Sequence, residues 1–120
     1  MAIDGPLKLS LQILRGGEPA IGPGKAIVLE AIGRTGSISG AGRSLGMSYR
    51  KIWRLVDALN DDWRERVVET QAGRGEQSGA RLTDFGADLL ARYRATERRT
   101  MEAAAGADLD WLLSATKRDQ

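Results

Sequence analysis

The chain has 120 residues, the size of one domain, and contains neither cysteine nor histidine. These absences exclude disulfides and thiolate chemistry and remove the usual zinc ligands and the commonest general base, so we expect neither an enzyme nor a metal site. The net charge is only +2. Glycine accounts for 15 of the 120 residues, or 12.5%, where about 7% is usual, so we expect glycines to mark the turns and helix ends of a folded chain.

No segment predicts insertion into a membrane. No apolar run approaches the roughly 18 residues of a membrane-spanning helix. Asp4 and Pro6 lie where a signal peptide would be apolar. We therefore expect a cytoplasmic protein without a membrane partner.

Residues 7–14 alternate apolar and polar side chains for most of their length. This period of two predicts a strand with one buried face. Two groups of breakers follow, Gly16-Gly17-Glu18-Pro19 and Gly22-Pro23-Gly24, so the strand is expected to end before them.

Two helices are predicted next. Residues 24–35 form the first, which should stop at Gly36. Its apolar stripe at helical spacing consists of Ile27, Val28, Ala31 and Ile32. A short helix follows, with Ser37 or Ser39 as its N-cap and Gly46 as its left-handed terminal residue.

A third helix begins after a very tight turn. Only Met47 separates Gly46 from Ser48, whose hydroxyl should cap a helix of about 49–64. Its core face is expected to hold Ile52, Leu55, Val56, Leu59 and Trp63. Helix, tight turn and capped helix are the order of a helix-turn-helix, whose second helix presents its first turn to the major groove of DNA.

The second half predicts a hairpin and a long helix. Val67–Gln71 and Ala80–Thr83 form the strands, joined by the polar, glycine-rich loop 72–79, which would be the wing of a winged helix. Thr83 should cap a helix of about 84–104 that ends at Gly106. A final turn or short helix holds Leu109, Trp111, Leu112 and Leu113, before a frayed tail at 117–120.

Charge is unevenly distributed along the chain. Residues 31–56 contain no acid and five bases, namely Arg34, Arg43, Arg50, Lys51 and Arg54. With +5 in this window and +2 overall, the remainder carries −3. A surface that faces DNA needs this separation, since neutralising phosphates supplies much of the affinity.

The predicted DNA contacts follow from these positions. Arg50 and Arg54 are expected to meet guanine edges or phosphates, and Tyr49 and Lys51 to meet phosphates or bases. The full set is Ser37, Ser39, Arg43, Ser48, Tyr49, Arg50, Lys51, Arg54, Arg74, Gln77 and Ser78. The alternatives are a solvated helix face and a floppy loop with one ordinary arginine. Trp53 lies between the core face and the basic face, and its spacing does not decide between them.

Several segments resemble a known family. They are Gly36-Ser37-Ile38-Ser39, Leu45-Gly46-Met47-Ser48-Tyr49-Arg50, Trp53, Val56-Asp57-Ala58-Leu59-Asn60, Val68-Glu69-Thr70 and Ala80-Arg81-Leu82-Thr83-Asp84-Phe85-Gly86. Over about 24–97 the chain is similar to the DNA-binding domain of ModE-type molybdate-responsive regulators, relatives of the LysR winged helices. The loop 72–79 departs from that family, because Arg74, Glu76, Gln77 and Ser78 replace part of its glycine run.

The resemblance implies a homodimeric repressor or activator of molybdenum-related genes that binds a two-fold operator. It also implies that helix 84–104 pairs the subunits. The residues expected at that seam are Phe85, Leu89, Tyr93, Thr96 and Thr100, although spacing alone also allows the first three to be core. Such regulators usually carry C-terminal molybdate-binding modules, for which no room remains before Gln120. We therefore expect no cofactor here, and either a stand-alone DNA-binding member or a separate effector-binding chain.

The sequence thus predicts a mainly α fold with a small β-sheet. Residues 1–83 would form a winged helix-turn-helix and residues 84–120 a dimerisation helix and tail, within one structural domain. The predicted function is sequence-specific regulation of transcription on double-stranded DNA. The alternative is a protein-interaction module that dimerises through 84–104 and titrates or assembles with other regulators without binding DNA.

Overall fold

The computed structural model describes residues 5–71 and 79–117. Within these ranges the chain forms two antiparallel hairpins and five helices. In chain order they are β1 (Ile13–Arg15), β2 (Glu18–Ile21), α1 (Pro23–Thr35), α2 (Ile38–Leu45), α3 (Tyr49–Asp62), β3 (Val68–Gln71), β4 (Gly79–Leu82), α4 (Asp84–Ala104) and α5 (Ala107–Ala115). The mainly α fold with a small β component is as predicted. The expectation of a frayed tail falls mostly on 118–120, outside the described residues.

The predicted strand over 7–14 is wrong in extent. Only its last two residues enter β1, which pairs with β2 through a turn at Gly16 and Gly17 with φ of 58° and 85°. Leu7, Leu9 and Leu11 are nevertheless half-buried between exposed polar neighbours. The alternation therefore indicated a face against the protein, but no strand of the described chain lies beside residues 7–12 to complete a ladder.

The core lies between α1, α3 and the start of β3. Its largest fully buried side chains are Ile21, Val28, Leu29, Ile32, Ile52, Val56, Leu59, Val67 and Val68. The predicted stripe of α1 is wrong at one position, because Ile27 is 42% exposed while Leu29 is buried. This occurs because α1 packs against neighbours on several sides, including α2, α3, β4 and α4, so its buried arc is wider than one stripe.

Asn60 fixes the hairpin to α3. Its Oδ1 accepts hydrogen bonds from the backbone N–H groups of Val67 (2.8 Å) and Val68 (3.1 Å), and its Nδ2 donates to the Val68 carbonyl at 3.2 Å. The other strand, β4, is tied to the end of α1 where Ala80 N–H donates to the Gly36 carbonyl at 2.9 Å. The hairpin therefore has a defined position relative to α2 and α3.

Trp63 lies beyond the predicted core face of α3. The helix ends at Asp62, and Trp63 follows it in extended backbone, half-buried. Its indole Nε1 donates to the Ala20 carbonyl at 3.1 Å. The residue therefore holds the end of α3 against β2.

Helix α4 begins at the predicted cap, where Thr83 Oγ1 accepts from Gly86 N–H at 2.9 Å. Tyr93 is 4% exposed and its hydroxyl donates to the Leu11 carbonyl at 2.7 Å. Burial is the main cause that raises the pKa of Tyr93 to about 12. The long helix stops at Ala104, so Gly106 does not end it as predicted but precedes α5 with φ of 157°.

None of the helices in the described ranges combines the length and apolarity needed to traverse a bilayer. The molecule measures 56 × 36 × 23 Å. Its radius of gyration is 17.1 Å, against about 13.6 Å for a compact chain of this length. The described chain is therefore elongated.

Candidate nucleic-acid interface

The turn between α2 and α3 has the predicted capping chemistry. Ser37 Oγ accepts from Gly40 N–H at 2.8 Å, which identifies Ser37 rather than Ser39 as the N-cap of α2. Gly46 is left-handed at φ 66°, and its N–H donates to the Gly42 carbonyl. Ser48 Oγ then accepts from Lys51 N–H at 3.1 Å and starts α3. The two helices are thus joined by a turn whose ends are both hydrogen-bonded.

Gly42 allows α2 to pack closely on this turn. A Cβ atom there would lie 2.7 Å from the Met47 carbonyl oxygen and 3.7 Å from Ile52 Cγ1. A larger residue would therefore displace the start of α3. The absence of a side chain at Gly42 is therefore what permits this close approach.

The predicted DNA-contacting side chains on α2 and α3 lie mostly on the surface. Ser37 and Ser39 are half-buried, whereas the following residues are exposed: Arg43, Ser48, Tyr49, Arg50, Lys51 and Arg54. Within the described part of the chain, none of the five bases of window 31–56 lies within 4.0 Å of a carboxylate. We call these five exposed bases of α1, α2 and α3 the cationic surface, and their charge is available to an anionic partner.

Trp53 belongs to both the core and the surface. It is half-buried and packs against the core cluster. Its ring also meets Tyr49 edge to face, with centroids 6.2 Å apart. Tyr49 is 54% exposed. Trp53 therefore supports an exposed aromatic ring on the first turn of α3, a role that spacing left open.

The wing is described only at its base. Arg81 donates from Nε (3.1 Å) and Nη2 (2.9 Å) to Glu69 Oε2 across the paired strands. An open groove of about 650 Å³ is lined by this pair, by neighbouring residues of both strands and by Gly36 at the entry to α2. The predicted wing contacts Arg74, Gln77 and Ser78 lie outside the described residues.

The predicted dimer residues divide into two groups. Phe85 and Leu89 are half-buried against the core, and Tyr93 is part of it. For Tyr93 the core alternative is therefore the one observed, because its side chain is enclosed within its own chain. Thr96 and Thr100 are exposed, and their hydroxyls donate to carbonyls of the preceding turn.

Two positioning contacts were not predicted. Arg34 Nη2 donates to Ser44 Oγ at 2.7 Å, which ties the end of α1 to α2. Asn60 holds β3 as described above. The basic window contains Arg34, but no local pattern indicates that its partner is a serine hydroxyl ten residues away.

Comparison with known proteins assigns this region to one family. The model for bacterial regulatory helix-turn-helix proteins of the LysR family matches residues 25–87. The molybdenum-pterin-binding protein MopA of Rhodobacter capsulatus is 38% identical over 88 residues, which are 73% of this chain and 33% of that protein. The molybdenum transport protein ModE of Azotobacter vinelandii is 40% identical over 70 residues, 58% of this chain and 26% of that protein.

These relatives are much longer than the part they share with this chain, which spans about a third or less of their length. A solved structure, that of ArgP from Mycobacterium tuberculosis, superposes with a TM-score of 0.50 and 21% identity. The superposition covers 70% of this chain and 29% of that one. At this identity the likeness shows the fold alone, and it agrees with the predicted winged helix.

Proposed function

This chain belongs to the LysR family of bacterial regulatory helix-turn-helix proteins, and from this premise we propose that it regulates transcription by reading a specific DNA sequence. The observation that supports this most directly is the cationic surface, whose bases form no salt bridge in the described chain. Helix α3 would enter the major groove, and the wing would reach the backbone or the adjacent minor groove. Regulators of this family are not enzymes.

We further propose that the protein acts as a homodimer on a two-fold operator, in the cytoplasm where the chromosome lies, and controls genes of molybdenum use. Several relatives have molybdenum in their names, which supports the last point. Selection of binding sites from random duplex DNA tests sequence specificity and dimer symmetry together, because the spacing of half-sites reports how two copies are arranged.

We predict that Arg50→Ala and Arg54→Ala will each weaken binding to the selected operator by roughly 5- to 150-fold. Each arginine is exposed on α3, and a good base contact contributes about 1–3 kcal/mol. Fluorescence anisotropy with labelled duplex at fixed salt measures the change. Arg98→Ala is the matched control, since Arg98 is also exposed but lies on α4.

Wild-type affinity in both variants would contradict the assignment of α3 as the reading helix. The salt dependence of wild-type binding distinguishes the proposal from an interaction module. A steep fall in affinity with salt indicates phosphate contacts. Failure to bind any duplex, together with a stable complex with another regulator, would favour the interaction module.

We also propose that the described residues contain no effector site, and predict that molybdate will leave the melting temperature of this chain unchanged. The most buried cation of the described chain, Arg94, is already engaged by two carboxylates. A site with a Kd one hundredfold below the molybdate concentration would add about 2.7 kcal/mol of stability. A saturable rise with molybdate, absent with sulfate, would contradict the prediction and assign an oxyanion site to this chain.

A further inference from the structure

Helix α5 carries apolar side chains that its own chain does not cover. Four of its nine residues are large and apolar, namely Leu109, Trp111, Leu112 and Leu113. Trp111 is 68% and Leu112 57% exposed, and no residue of the helix is buried. An isolated helix of this length is marginal in water, so α5 needs a surface against which to pack.

An apolar groove lies at the other end of α4. It has a volume of about 590 Å³ and runs between β1, the end of α3 and the first half of α4. Its apolar lining includes Ile13, Trp63, Phe85 and Leu89. Ile13 is 43% exposed, which leaves one wall of the groove open to solvent.

The rim of this groove carries two exposed arginines. Arg64 lies over the Phe85 ring, 5.7 Å from its centroid, with its Nε 3.6 Å from Glu65 Oε2, and the exposed Arg92 lies on α4. The rim also has two acids. Asp62 is already paired with Arg15 at 3.0 Å, and Asp88 is exposed. Helix α5 is complementary to the arginines, because Asp108 and Asp110 lie in its first turn and it has no base.

Helix α5 does not occupy the groove of its own chain, since none of its residues is buried and none lines that groove. From Leu89 to Ala104 the intact helix α4 is about 22 Å long at 1.5 Å per residue. If α5 folded back along α4, the two-residue link Ala105–Gly106 and nine helical residues would span about 20 Å. A folded-back α5 would therefore reach the Thr96 and Tyr93 end of the groove but not the end at Leu89 and Phe85.

We propose that α5 of one copy of this chain packs in the groove of a second copy, and that the exchange is reciprocal. The inference rests on the homodimer proposed above and specifies its contact surface. A reciprocal contact closes a two-fold dimer, because each copy offers both the helix and the groove. Burial of two Trp111 side chains removes roughly 300 Å² from water, a sizeable part of the roughly 1,200–2,000 Å² in a specific interface.

The test introduces one charge on each side of the contact. Trp111→Glu alters the helix and Ile13→Glu alters the groove. Both positions are exposed in the single chain, so both variants should fold. Analytical ultracentrifugation without DNA is expected to show that each raises the dimer dissociation constant by about tenfold or more. Leu14→Glu is the matched control and should dimerise normally, since Leu14 is exposed and does not line the groove.

A mixing experiment tests the reciprocity. In a heterodimer of Trp111→Glu with Ile13→Glu, one of the two contacts joins an unaltered helix to an unaltered groove. In a homodimer of either variant, both contacts have one altered side. An equimolar mixture should therefore dimerise more tightly than either variant alone. A contact made by α5 within its own chain predicts no such recovery.

Three outcomes would overturn the inference. If Trp111→Glu dimerises as wild type does, the homodimer stands but forms through another surface. If the wild-type chain stays monomeric, both the α5 contact and the proposed homodimer are wrong. The proposed DNA binding is then still tested separately by the Arg50 and Arg54 variants. If Trp111→Glu lowers the unfolding midpoint and leaves association unchanged, α5 packs on its own chain.

Discussion

Replacing Gly86 with alanine is expected to destabilise the fold by about 3 kcal/mol, although alanine ordinarily favours a helix by about 1 kcal/mol over glycine. A Cβ atom at this position would lie 2.1 Å from the Val67 carbonyl oxygen and 3.0 Å from its carbonyl carbon. Both of those atoms are backbone, so no side-chain rotation relieves the clash. The same carbonyl accepts a hydrogen bond from Thr83 N–H at 3.0 Å, so a shift of α4 would break the junction between helix and hairpin.

Urea denaturation of Gly86→Ala measures this effect. Gly24→Ala is the matched control, because Gly24 also lies in the first turn of a helix but an added Cβ would meet nothing within 4 Å. That control should be neutral or more stable by up to about 1 kcal/mol. A Gly86→Ala protein as stable as wild type would show that α4 and β3 are not held at this separation.

The helix-turn-helix could be predicted because its chemistry is local. Ser37, Ser48 and Thr83 each cap a helix through an N–H three residues ahead, and Gly46 closes α2 on a carbonyl four residues back. A capping hydroxyl marks the start of a helix and a left-handed glycine marks its end, and both depend only on residues nearby in the sequence. The N-caps of these helices and the end of α2 could therefore be predicted from the sequence.

The long-range contacts that set the tertiary structure could not be predicted from the sequence in the same way. Tyr93 reaches Leu11 across 82 residues, and Arg94 reaches Glu30 across 64. Spacing along α4 placed Tyr93 on an apolar face but gave no sign of which surface would cover it. Strand β2 was missed because Pro19 resembles a breaker, although an edge strand of a two-stranded sheet tolerates proline.

The charge of the candidate site could be predicted from the sequence, but its geometry could be predicted only in part. Five bases without an intervening acid predicted the cationic surface, and none of them forms a salt bridge in the described ranges. The sequence could not tell that Arg81, a base outside that window, is engaged by Glu69. Composition predicts the sign of the charge on a surface. The salt bridges that its bases form with acids decide how much of that charge is available to a phosphate.

The second large effect is expected from Arg94→Met, which should destabilise the protein by about 3 kcal/mol at pH 7. Arg94 Nε (3.1 Å) and Nη2 (2.7 Å) donate to the two carboxylate oxygens of Glu30, and Nη1 donates to Glu97 at 2.7 Å. The side chains of Arg94 and Glu97 are only 12% and 8% exposed. Methionine retains much of the aliphatic stem but leaves a buried carboxylate without its partner, which accounts for the loss.

The loss should depend on pH in a defined direction. The hydrogen bonds from Arg94 lower the pKa of Glu30 below its ordinary value. A carboxyl whose pKa is lower in the folded state stabilises the fold at pH values above its pKa in the unfolded state, which is about 4.3. This contribution is lost as the pH falls through the pKa of the folded state. The difference between wild type and Arg94→Met should therefore be full at neutral pH and shrink steadily below about pH 4.

Thermal or urea unfolding between neutral and acid pH measures that difference. Arg98→Met, an exposed arginine on the same helix, should stay within about 0.5 kcal/mol of wild type. The double variant Arg94→Met with Glu97→Met should recover part of the loss, because removing both partners leaves one fewer buried charge unpaired. If Arg94→Met costs the same at acid and neutral pH, the arginine stabilises the α1–α4 contact by packing and not by charge.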